Sequence, residues 1–499
     1  MSLLTTLLRL EAAETEQAQD ASTIRHFHLT ERPMVFLPLN RSGTEATSLA
    51  VMYGDDPSRP QLLVAPPRGR PTAFLDDLAD GILTYIDSFQ HTTERLPARG
   101  NRPARQRYTN APQLLVANRK SVPHIERLGR ALRFTETPEG TDPARSTGRL
   151  GQWLTFFAEH AEYPGSALLA ALTELLTSHW VTGQSPLEDE HLAALMAWIR
   201  PPAGTTGLHA ALAAEDPQLR RPAGPATDPS FDTFELDPLL TAYDTAAEEG
   251  NTAAMTRHTD RLRDLLHTYL HPTWNDAWQA LSLLRSLPQT PDAHRRWDAD
   301  RDRFTAYSTY LADDGRPQPI KDDAISAARR LARLEQAQGA FEARRAMEDP
   351  FVMAERRTSG EALAGTVIDT DPHHTITGPS GRPLLRPRFT LHTTDPVRLD
   401  TGSLLAGPHN PRVHAAIRSI TPRDGGTDLL LEITTLTGTV AKPKPDSVPA
   451  VEDHLFLTLA PEFFRQPPFP SRDDTPWTHG GPQHDHPAAA LEATEEAQP

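Results

Sequence analysis

Residues 359–459 carry the pattern that most restricts what this chain can fold into. Apolar and polar side chains alternate there with a period of two, as expected for short β-strands that bury one face. The strand-like runs are residues 363–368, 388–393, 413–420, 428–434 and 455–459. Proline, glycine and aspartate between the runs favour turns. Short strands joined by turns predict a small antiparallel β-barrel, of the OB or SH3-like type, better than a parallel sheet.

Residues 1–136 predict a small α/β layer domain. Strands are predicted at 33–39, 47–53, 61–65 and 113–117, and helices with one apolar face at 72–89 and 121–134. The proline- and glycine-containing segment 95–107 predicts a loop between two strand–helix units. An amphipathic first helix is expected, and not a signal peptide, because no basic leader accompanies the early leucines.

Helical periodicity dominates residues 149–349, after a proline- and glycine-containing boundary at 137–148. One helix is predicted over 164–181, because Pro164 suits a first helical turn and Gly183 follows the run. A linker is expected at about 201–229, with one short helix over 208–214.

Further along this helical segment, one helix is predicted to end at Leu270 and a separate one to run from 273 to 287. Consecutive helices joined by two to five residues are expected to pack as antiparallel hairpins. Asp349-Pro350 is predicted to end the last long helix.

The whole chain is therefore expected to be an α+β multidomain protein. Its predicted parts are an α/β domain with a basic loop (1–136), an all-helical array (149–349), an antiparallel β-barrel (356–469) and a disordered tail (470–499). The tail prediction follows from a proline-rich and polar sequence that buries too little apolar surface to fold.

Composition limits the chemistry. The 499 residues include no cysteine, which excludes disulfides, thiolate nucleophiles and thiolate metal sites and suits a reducing, cytoplasmic location. A hydrophobic content of 38% supports buried cores. No run approaches the roughly 18 apolar residues of a membrane span, so no membrane partner is expected.

Two segments are basic although the net charge of the chain is −16. Residues 95–133 contain ten basic side chains and one acid, and residues 382–423 contain seven arginines and two aspartates. Tyr108 lies beside Arg105 and Arg107, an arrangement suited to stacking on a base while arginine binds phosphate. The residues predicted to bind nucleic acid are Arg99, Arg102, Arg105, Arg107, Tyr108, Arg119, Lys120, Arg127, Arg130, Arg386, Arg388, Arg412 and Arg418.

Motifs for catalysis are missing from the sequence. It contains no phosphate-binding Gly-x-x-x-x-Gly-Lys-Ser/Thr, no dinucleotide fingerprint, no His-Glu-x-x-His and no Gly-x-Ser-x-Gly. Acidic pairs such as Asp55-Asp56 suit turns and helix starts, and His373-His374 suits a polar turn. No catalytic residue, metal ligand or cofactor is predicted.

Three stretches in the predicted barrel resemble a known insert. EALAGTVIDTD at 361–371, RFTLHT at 388–393 and VRLDTGSLL at 397–405 look like the small β-barrel inserted near the nucleotide-binding core of some superfamily 1 helicases. The helicase core itself has no counterpart in the chain. The resemblance implies a barrel that contacts nucleic acid, beside a separate motor subunit, and it transfers no catalytic residue.

Three functions remain open from the sequence. The first is a non-enzymatic accessory protein that binds DNA or RNA, or a nucleic-acid-processing partner such as a helicase or nuclease. The second is a protein-interaction scaffold, in which the basic loop binds a partner or docks on the protein's own acidic helices. The third is a metal-dependent nuclease or hydrolase with dispersed carboxylates, although Lys120 is the only lysine in residues 1–136.

Overall fold

The computed structural model describes residues 2–43, 48–67, 72–98, 100, 103–137, 142–217, 219–221, 224–321, 324–444 and 448–461. Within these ranges the protein is an α+β multidomain protein, as predicted. None of the helices described is both long and apolar enough to cross a bilayer. The predictions for Arg99, Arg102 and the tail at 470–499 fall outside the described residues.

Helices and short strands are interspersed up to Glu348. The helices are α1 (Leu3–Thr15), α2 (Thr72–Asp87), α3 (Ser121–Leu132), α4 (Thr147–Ala161), α5 (Leu172–Thr177), α6 (Leu192–Ile199), α7 (Gly207–Glu215), α8 (Pro229–Phe231), α9 (Asp237–Glu248), α10 (Thr252–Arg285), α11 (Pro291–Ala312) and α12 (Ala324–Glu348). The strands are β1 (Gln19–Asp20), β2 (Met34–Asn40), β3 (Ser48–Gly54), β4 (Gln61–Val64), β5 (Thr93–Leu96), β6 (Arg105–Tyr108), β7 (Leu114–Val116), β8 (Leu169–Ala171) and β9 (Trp180–Val181). The predicted strands and helices of residues 33–134 are confirmed, with small shifts at their ends.

A five-stranded mixed sheet, in the order β4-β3-β2-β7-β8, lies at the centre of this part of the protein. Every residue of β2 is buried. Its side chains alternate between two hydrophobic cores: Met34 and Phe36 face one, and Val35 and Leu37 face the other. Helices α2, α3, α4 and α11 contribute to the first core, and α5, α6 and α10 to the second. The sheet is therefore covered on both faces, which explains the continuous apolar character of β2.

The predicted helix over 164–181 is wrong. Residues 169–171 form β8, which pairs in parallel with β7, and only the short helix α5 and the strand β9 follow. Leu168, Leu169 and Ala171 are all buried. A short run that is apolar on every side gives no periodicity to separate a buried strand from a buried helix. Because β8 lies within the predicted helical array, that array is not all-helical.

The predicted break at Pro272 is also wrong, because α10 continues through it. Tyr269, Leu270 and Trp274 on either side of the proline are buried in the second core. Packing against the sheet on both sides of Pro272 maintains a helix that the local sequence predicts to end. The short helix predicted over 208–214, by contrast, is confirmed as α7.

The predicted loop at 95–107 contains a two-stranded antiparallel hairpin. Strand β5 pairs with β6, with Thr93 opposite Tyr108 and Leu96 opposite Arg105. Strand β6 contacts α11. We call residues 93–108 the basic hairpin.

The C-terminal unit follows α13 (Pro350–Ser359) and is a closed six-stranded antiparallel β-barrel. Its elements are β10 (Ala362–Asp371), β11 (Thr375–Thr377), β12 (Pro383–Leu385), β13 (Arg388–Thr393), β14 (Leu404–Ala406), β15 (Ala415–Arg423), β16 (Gly426–Ile433), β17 (Gly438–Thr439), β18 (Lys442–Pro443) and β19 (His454–Leu459). The barrel order is β10-β13-β16-β15-β14-β19, and β19 closes the ring on β10. The remaining strands form the hairpins β11–β12 and β17–β18.

All five predicted strands of the barrel are confirmed, and β14 is a sixth. Strand β14 has three residues and no alternation, so it leaves no pattern to detect. Apolar side chains of the six strands fill the barrel, among them Leu363, Phe389 and Ile417. Assignment of the barrel to the OB or SH3-like type stays a prediction.

Residues 149–349 supply β8 and helices on both faces of the sheet, so they share both cores with residues 1–136. Residues 138–141, part of the predicted boundary at 137–148, are not among the residues that the structure describes. The boundaries between the predicted domains stay predictions.

Candidate interaction surfaces

Arg105 and Arg107 of the basic hairpin are paired with carboxylates of the protein itself. Arg107 is 6% exposed, and its Nε and Nη2 donate to Glu94 Oε1 at 3.0 and 2.7 Å. Its guanidinium also lies 3.5 Å from Asp298 and 3.6 Å from Asp302, both on α11. Arg105 Nη2 lies 2.7 Å from Asp302 Oδ2. The hairpin therefore docks on an acidic face of α11, as one sequence interpretation proposed.

Tyr108 takes part in the same docking. Its ring centroid lies 5.4 Å from that of Phe304 on α11, and its backbone N–H donates to Thr305 Oγ1 at 3.0 Å. The side chain is half-buried and packs against the first core. The ring predicted to stack on a base thus packs on a helix in this structure.

The four basic residues on and just before α3 that were predicted to bind nucleic acid are exposed. Arg119 lies 3.5 Å from Glu174, and Arg130 Nη2 lies 2.7 Å from Glu126 Oε1, one helical turn away. Lys120 and Arg127 are exposed as well. Exposed ion pairs of this kind contribute little to stability, and they leave these side chains accessible to a partner.

On the barrel, Arg388 and Arg418 share one carboxylate. Glu432 is 1% exposed; its Oε2 accepts from Arg388 Nε and Nη2 at 2.9 and 2.7 Å, and its Oε1 accepts from Arg418 Nη2 at 2.6 Å. Burial raises the pKa of Glu432, but its bonds to Arg418 and Arg388 outweigh that effect and leave the pKa below its usual value. Together the two arginines and the one carboxylate carry a net charge of +1.

The other two barrel arginines lie at one end of the barrel, which we call the mouth. Asp371 pairs with Arg388, and Ala415 with Ile433, so the loops at 372–387, 407–414 and 434–453 all leave the barrel there. Arg386 is half-buried in the first of these loops and Arg412 is exposed in the second.

An apolar groove with a cavity volume of about 470 Å³ lies at the mouth, and no pattern in the sequence predicts it. We call it the mouth groove. Its apolar side chains are Phe389, Leu405, Val413, Ala415, Val448, Leu455, Phe456 and Leu457, and its polar residues include His409, Asn410 and Asp453. Phe456 is 46% exposed, so the groove offers apolar surface to solvent.

The mouth groove forms because β14 is short. Leu405 pairs with Leu459 on β19, and the chain then leaves the barrel wall at Gly407-Pro408. Alternation in the sequence predicts that Leu455 and Leu457 face inward. It cannot predict that the loop at 407–414 leaves part of that inner surface uncovered, because this depends on the pairing of β14 with β19.

A second cavity of about 610 Å³ lies between the mouth and the helices α11 and α12. We call it the charged cleft. Its walls include Asp292, Arg295, Arg344, Glu348, Arg412 and Pro461. Pro408 lines both the charged cleft and the mouth groove, so the two cavities are neighbours.

Within the described ranges, no group of three or more histidine, aspartate or glutamate side chains is placed to hold a metal ion. Comparison with known proteins found no matching family model, no matching curated protein and no matching solved structure.

Proposed function

We propose that this protein is a non-enzymatic interaction scaffold whose barrel binds an apolar segment of a partner protein in the mouth groove. The groove itself supports this proposal: eight aliphatic and aromatic side chains border an open cavity of about 470 Å³. Cavities of this size and apolar character are typical of ligand-binding sites. Each barrel strand already has two neighbours, so a partner is bound through side chains and not by adding a strand to the barrel.

The surroundings of the groove define the chemistry of the partner. Arg412 is exposed in the loop that borders the groove, and Arg382 and Arg386 lie in the loop at 372–387 that leaves the barrel at the same end. A segment with aromatic or aliphatic side chains and neighbouring carboxylates is complementary to both features. The partner segment is thus an apolar and acidic peptide.

The basic hairpin favours the scaffold over nucleic-acid binding at that hairpin. Arg105 and Arg107 already contact Glu94, Asp298 and Asp302. A phosphate backbone would have to displace these carboxylates, which costs the buried contacts of Arg107.

The test is a selection of peptides from a random display library on the full chain. Val413→Trp fills the groove, and Thr421→Trp, on an exposed position of β15, is its matched control. We expect enriched peptides to combine aromatic and acidic residues, to bind the control like wild type, and to lose at least tenfold in affinity for Val413→Trp. Failure to enrich such peptides, or equal binding to both variants, contradicts the proposal.

Nucleic-acid binding at the mouth is a second candidate, supported by a separate observation. The hairpins β11–β12 and β17–β18 contact each other at the mouth. Arg382 and Lys442 are exposed on them, and Arg386 follows β12. Such a rim is suited to binding a phosphate backbone. In this candidate function the protein acts beside a helicase or nuclease.

The salt dependence of oligonucleotide affinity tests nucleic-acid binding at the mouth. Three phosphate contacts to a single strand would give a slope of log K against log salt of about −2, at roughly −0.7 for each contact. Glutamine at positions 382, 386 and 442 should remove that slope, as measured by anisotropy of a labelled oligonucleotide. Absence of binding at low salt removes this candidate and leaves the scaffold.

A further inference from the structure

We propose that a pocket between the end of α3, the start of α4 and the loop after α11 binds a small phosphate monoester that carries a flat ring. The pocket has a cavity volume of about 360 Å³ and is lined by Arg133 and Arg149, and we call it the arginine pocket. This volume falls in the range of roughly 300–1,000 Å³ that is typical of small-molecule sites. Its lining residues all precede the barrel, so this inference is independent of the mouth groove and of the proposed function.

Arg133 is a buried cation that lacks an opposite charge. It follows the last residue of α3 and is 4% exposed. Its Nη2 donates to the backbone oxygen of Pro319 at 2.8 Å, and its buried Nε has no acceptor among the residues that the structure describes. Burying a guanidinium without a carboxylate partner costs free energy. An anion in the arginine pocket would offset this cost.

The electrostatic surroundings of Arg133 support the same conclusion. Burial lowers the pKa of Arg133, and the neighbouring charge of Arg130 lowers it further, whereas Glu159 acts in the opposite direction. The lowered pKa means that the protein around this guanidinium disfavours its positive charge. A bound phosphate would reverse this effect, because an opposite charge close by favours the ionised form.

Arg149 supplies a second guanidinium to the arginine pocket. It is half-buried in the first turn of α4, and its Nη1 donates to the backbone oxygen of Leu311 at 3.1 Å. Glu136 also borders the pocket, and its side chain is exposed to solvent. Two arginines and one glutamate give these charged residues of the wall a net charge of +1. Arginine forks suit phosphate, because they donate two parallel hydrogen bonds to its oxygens.

The start of α4 adds a further feature that favours an anion. Ser146 caps this helix, and its Oγ accepts from the backbone N–H of Arg149 at 3.1 Å. Gly148 lines the pocket in the same turn, where the helix dipole is positive. A Cβ on Gly148 would lie 2.5 Å from the backbone oxygen of Thr135. Glycine at this position therefore lets the chain after α3 approach α4 closely enough to form the pocket.

The remainder of the pocket indicates what the phosphate is attached to. Phe134 lines the pocket and is 51% exposed, and its ring centroid lies 5.1 Å from the guanidinium carbon of Arg133. An exposed aromatic ring beside the two arginines offers apolar surface to a flat group on the ligand. The ligand class is therefore a phosphate monoester of small-molecule size with a ring, and not a bare phosphate ion.

The test is calorimetric titration of phenyl phosphate into the full chain at low ionic strength, with phenol as the probe that lacks the phosphate. Arg149→Gln removes one guanidinium, and Arg263→Gln, at an exposed position of α10, is its matched control. We expect phenyl phosphate to bind wild type and Arg263→Gln alike, and Arg149→Gln roughly tenfold or more weakly, because charge-assisted hydrogen bonds are lost. Phenol should bind none of these proteins measurably.

A second pair of variants keeps the test valid if Arg149→Gln fails to fold. Thr135 borders the pocket with an exposed side chain, so its replacement leaves the core intact. Thr135→Glu places a carboxylate at the pocket, where it competes with the phosphate for the arginines and repels it. We expect roughly tenfold or weaker binding of phenyl phosphate to Thr135→Glu. The uncharged control Thr135→Gln should bind like wild type.

Three results would overturn the inference: no binding of phenyl phosphate to wild type at millimolar concentration, equal affinities of Thr135→Glu and Thr135→Gln, or phenol binding as tightly as phenyl phosphate. Val413→Trp should bind phenyl phosphate like wild type, because Val413 does not line the arginine pocket. The two proposals therefore fail separately, since peptide selection tests the mouth groove and phenyl phosphate tests the arginine pocket.

Discussion

At the scale of single residues, carboxylates of the protein itself are the partners of several of its arginines. Glu432 receives hydrogen bonds from Arg388 and Arg418 on two neighbouring strands. Its pKa is below the ordinary glutamate value of 4.5. A lowered pKa means that the ionised carboxylate stabilises the folded state, and that protonation removes this stabilisation.

Replacing Glu432 with glutamine should destabilise the barrel by about 2–3 kcal/mol, because charge-assisted hydrogen bonds to a buried group are lost. Hydrogen exchange of β15 and β16 measures the effect locally. Asp424→Asn, at the exposed turn between these strands, is the control and should leave exchange unchanged.

The same pair of variants tests the pH dependence. The contribution of Glu432 is fully present above pH 4.5, its usual pKa, and is lost as the pH falls through its lower pKa in the folded protein. The exchange difference between wild type and Glu432→Gln should therefore shrink only on acidification below that value. A difference that persists in acid, or disappears at neutral pH, contradicts this account of Glu432.

Arg107 offers a second test at this scale. Arg107→Gln should loosen the basic hairpin from α11 by about 2 kcal/mol, because it removes bonds to Glu94 and leaves Asp298 and Asp302 without this partner. Arg95→Gln, at an exposed position of the same hairpin, should have no effect. Hydrogen exchange of residues 93–108 measures both, and equal exchange in the two variants would show that the buried pairing is unimportant.

The sequence predicted a basic cluster here but not its partners. Asp298 and Asp302 lie almost 200 positions further along the chain, and only the packing of α11 brings them to the hairpin. Charge counted along a sequence identifies a basic segment, whereas the availability of each arginine depends on tertiary contacts.

At the scale of elements, α3 and α4 approach each other through glycines. A Cβ on Gly151 would lie 2.2 Å from the backbone N of Arg133, and one on Gly129 would lie 2.7 Å from the backbone N of Thr155. Both clashes are with backbone, which cannot move as a flexible side chain can. These two helices cover the same face of the sheet.

Gly151→Ala should therefore destabilise the protein by about 1–2 kcal/mol. Overpacking costs about 1–3 kcal/mol, and this exceeds the gain of up to about 1 kcal/mol from the better helix propensity of alanine. Urea unfolding followed by tryptophan fluorescence, to which Trp153 on α4 contributes, measures the change. Ala131→Ser on the exposed side of α3 should change stability by less than about 0.5 kcal/mol. A stabilised Gly151→Ala protein would mean that the helices can separate at little cost.

Elements with a clear period were predictable, and elements fixed by tertiary pairing were not. Strands β13 and β16 alternate clearly and were predicted from the sequence. Strands β8 and β14 have three residues each and exist because a neighbour pairs with them. Helix α10 continues through Pro272 because the residues around it pack on the sheet.

At the scale of the whole molecule, the mouth groove depends on parts that are distant in the sequence. Strand β13, the loop at 407–414 and the strand β19 each supply a wall, and α11 and α12 form the adjoining charged cleft. The sequence predicted the barrel and its inward-facing residues. It did not predict the groove, because an opening between loops leaves no periodic signal.

The most direct test of the scaffold proposal is calorimetric titration of a library-selected peptide into the full chain at several temperatures. Burial of apolar surface gives a negative heat-capacity change on binding. We predict such a change for wild type and for Thr421→Trp, and no measurable binding heat for Val413→Trp. Unchanged heats for Val413→Trp, or a heat-capacity change near zero with binding that disappears as salt is added, would contradict binding in the mouth groove.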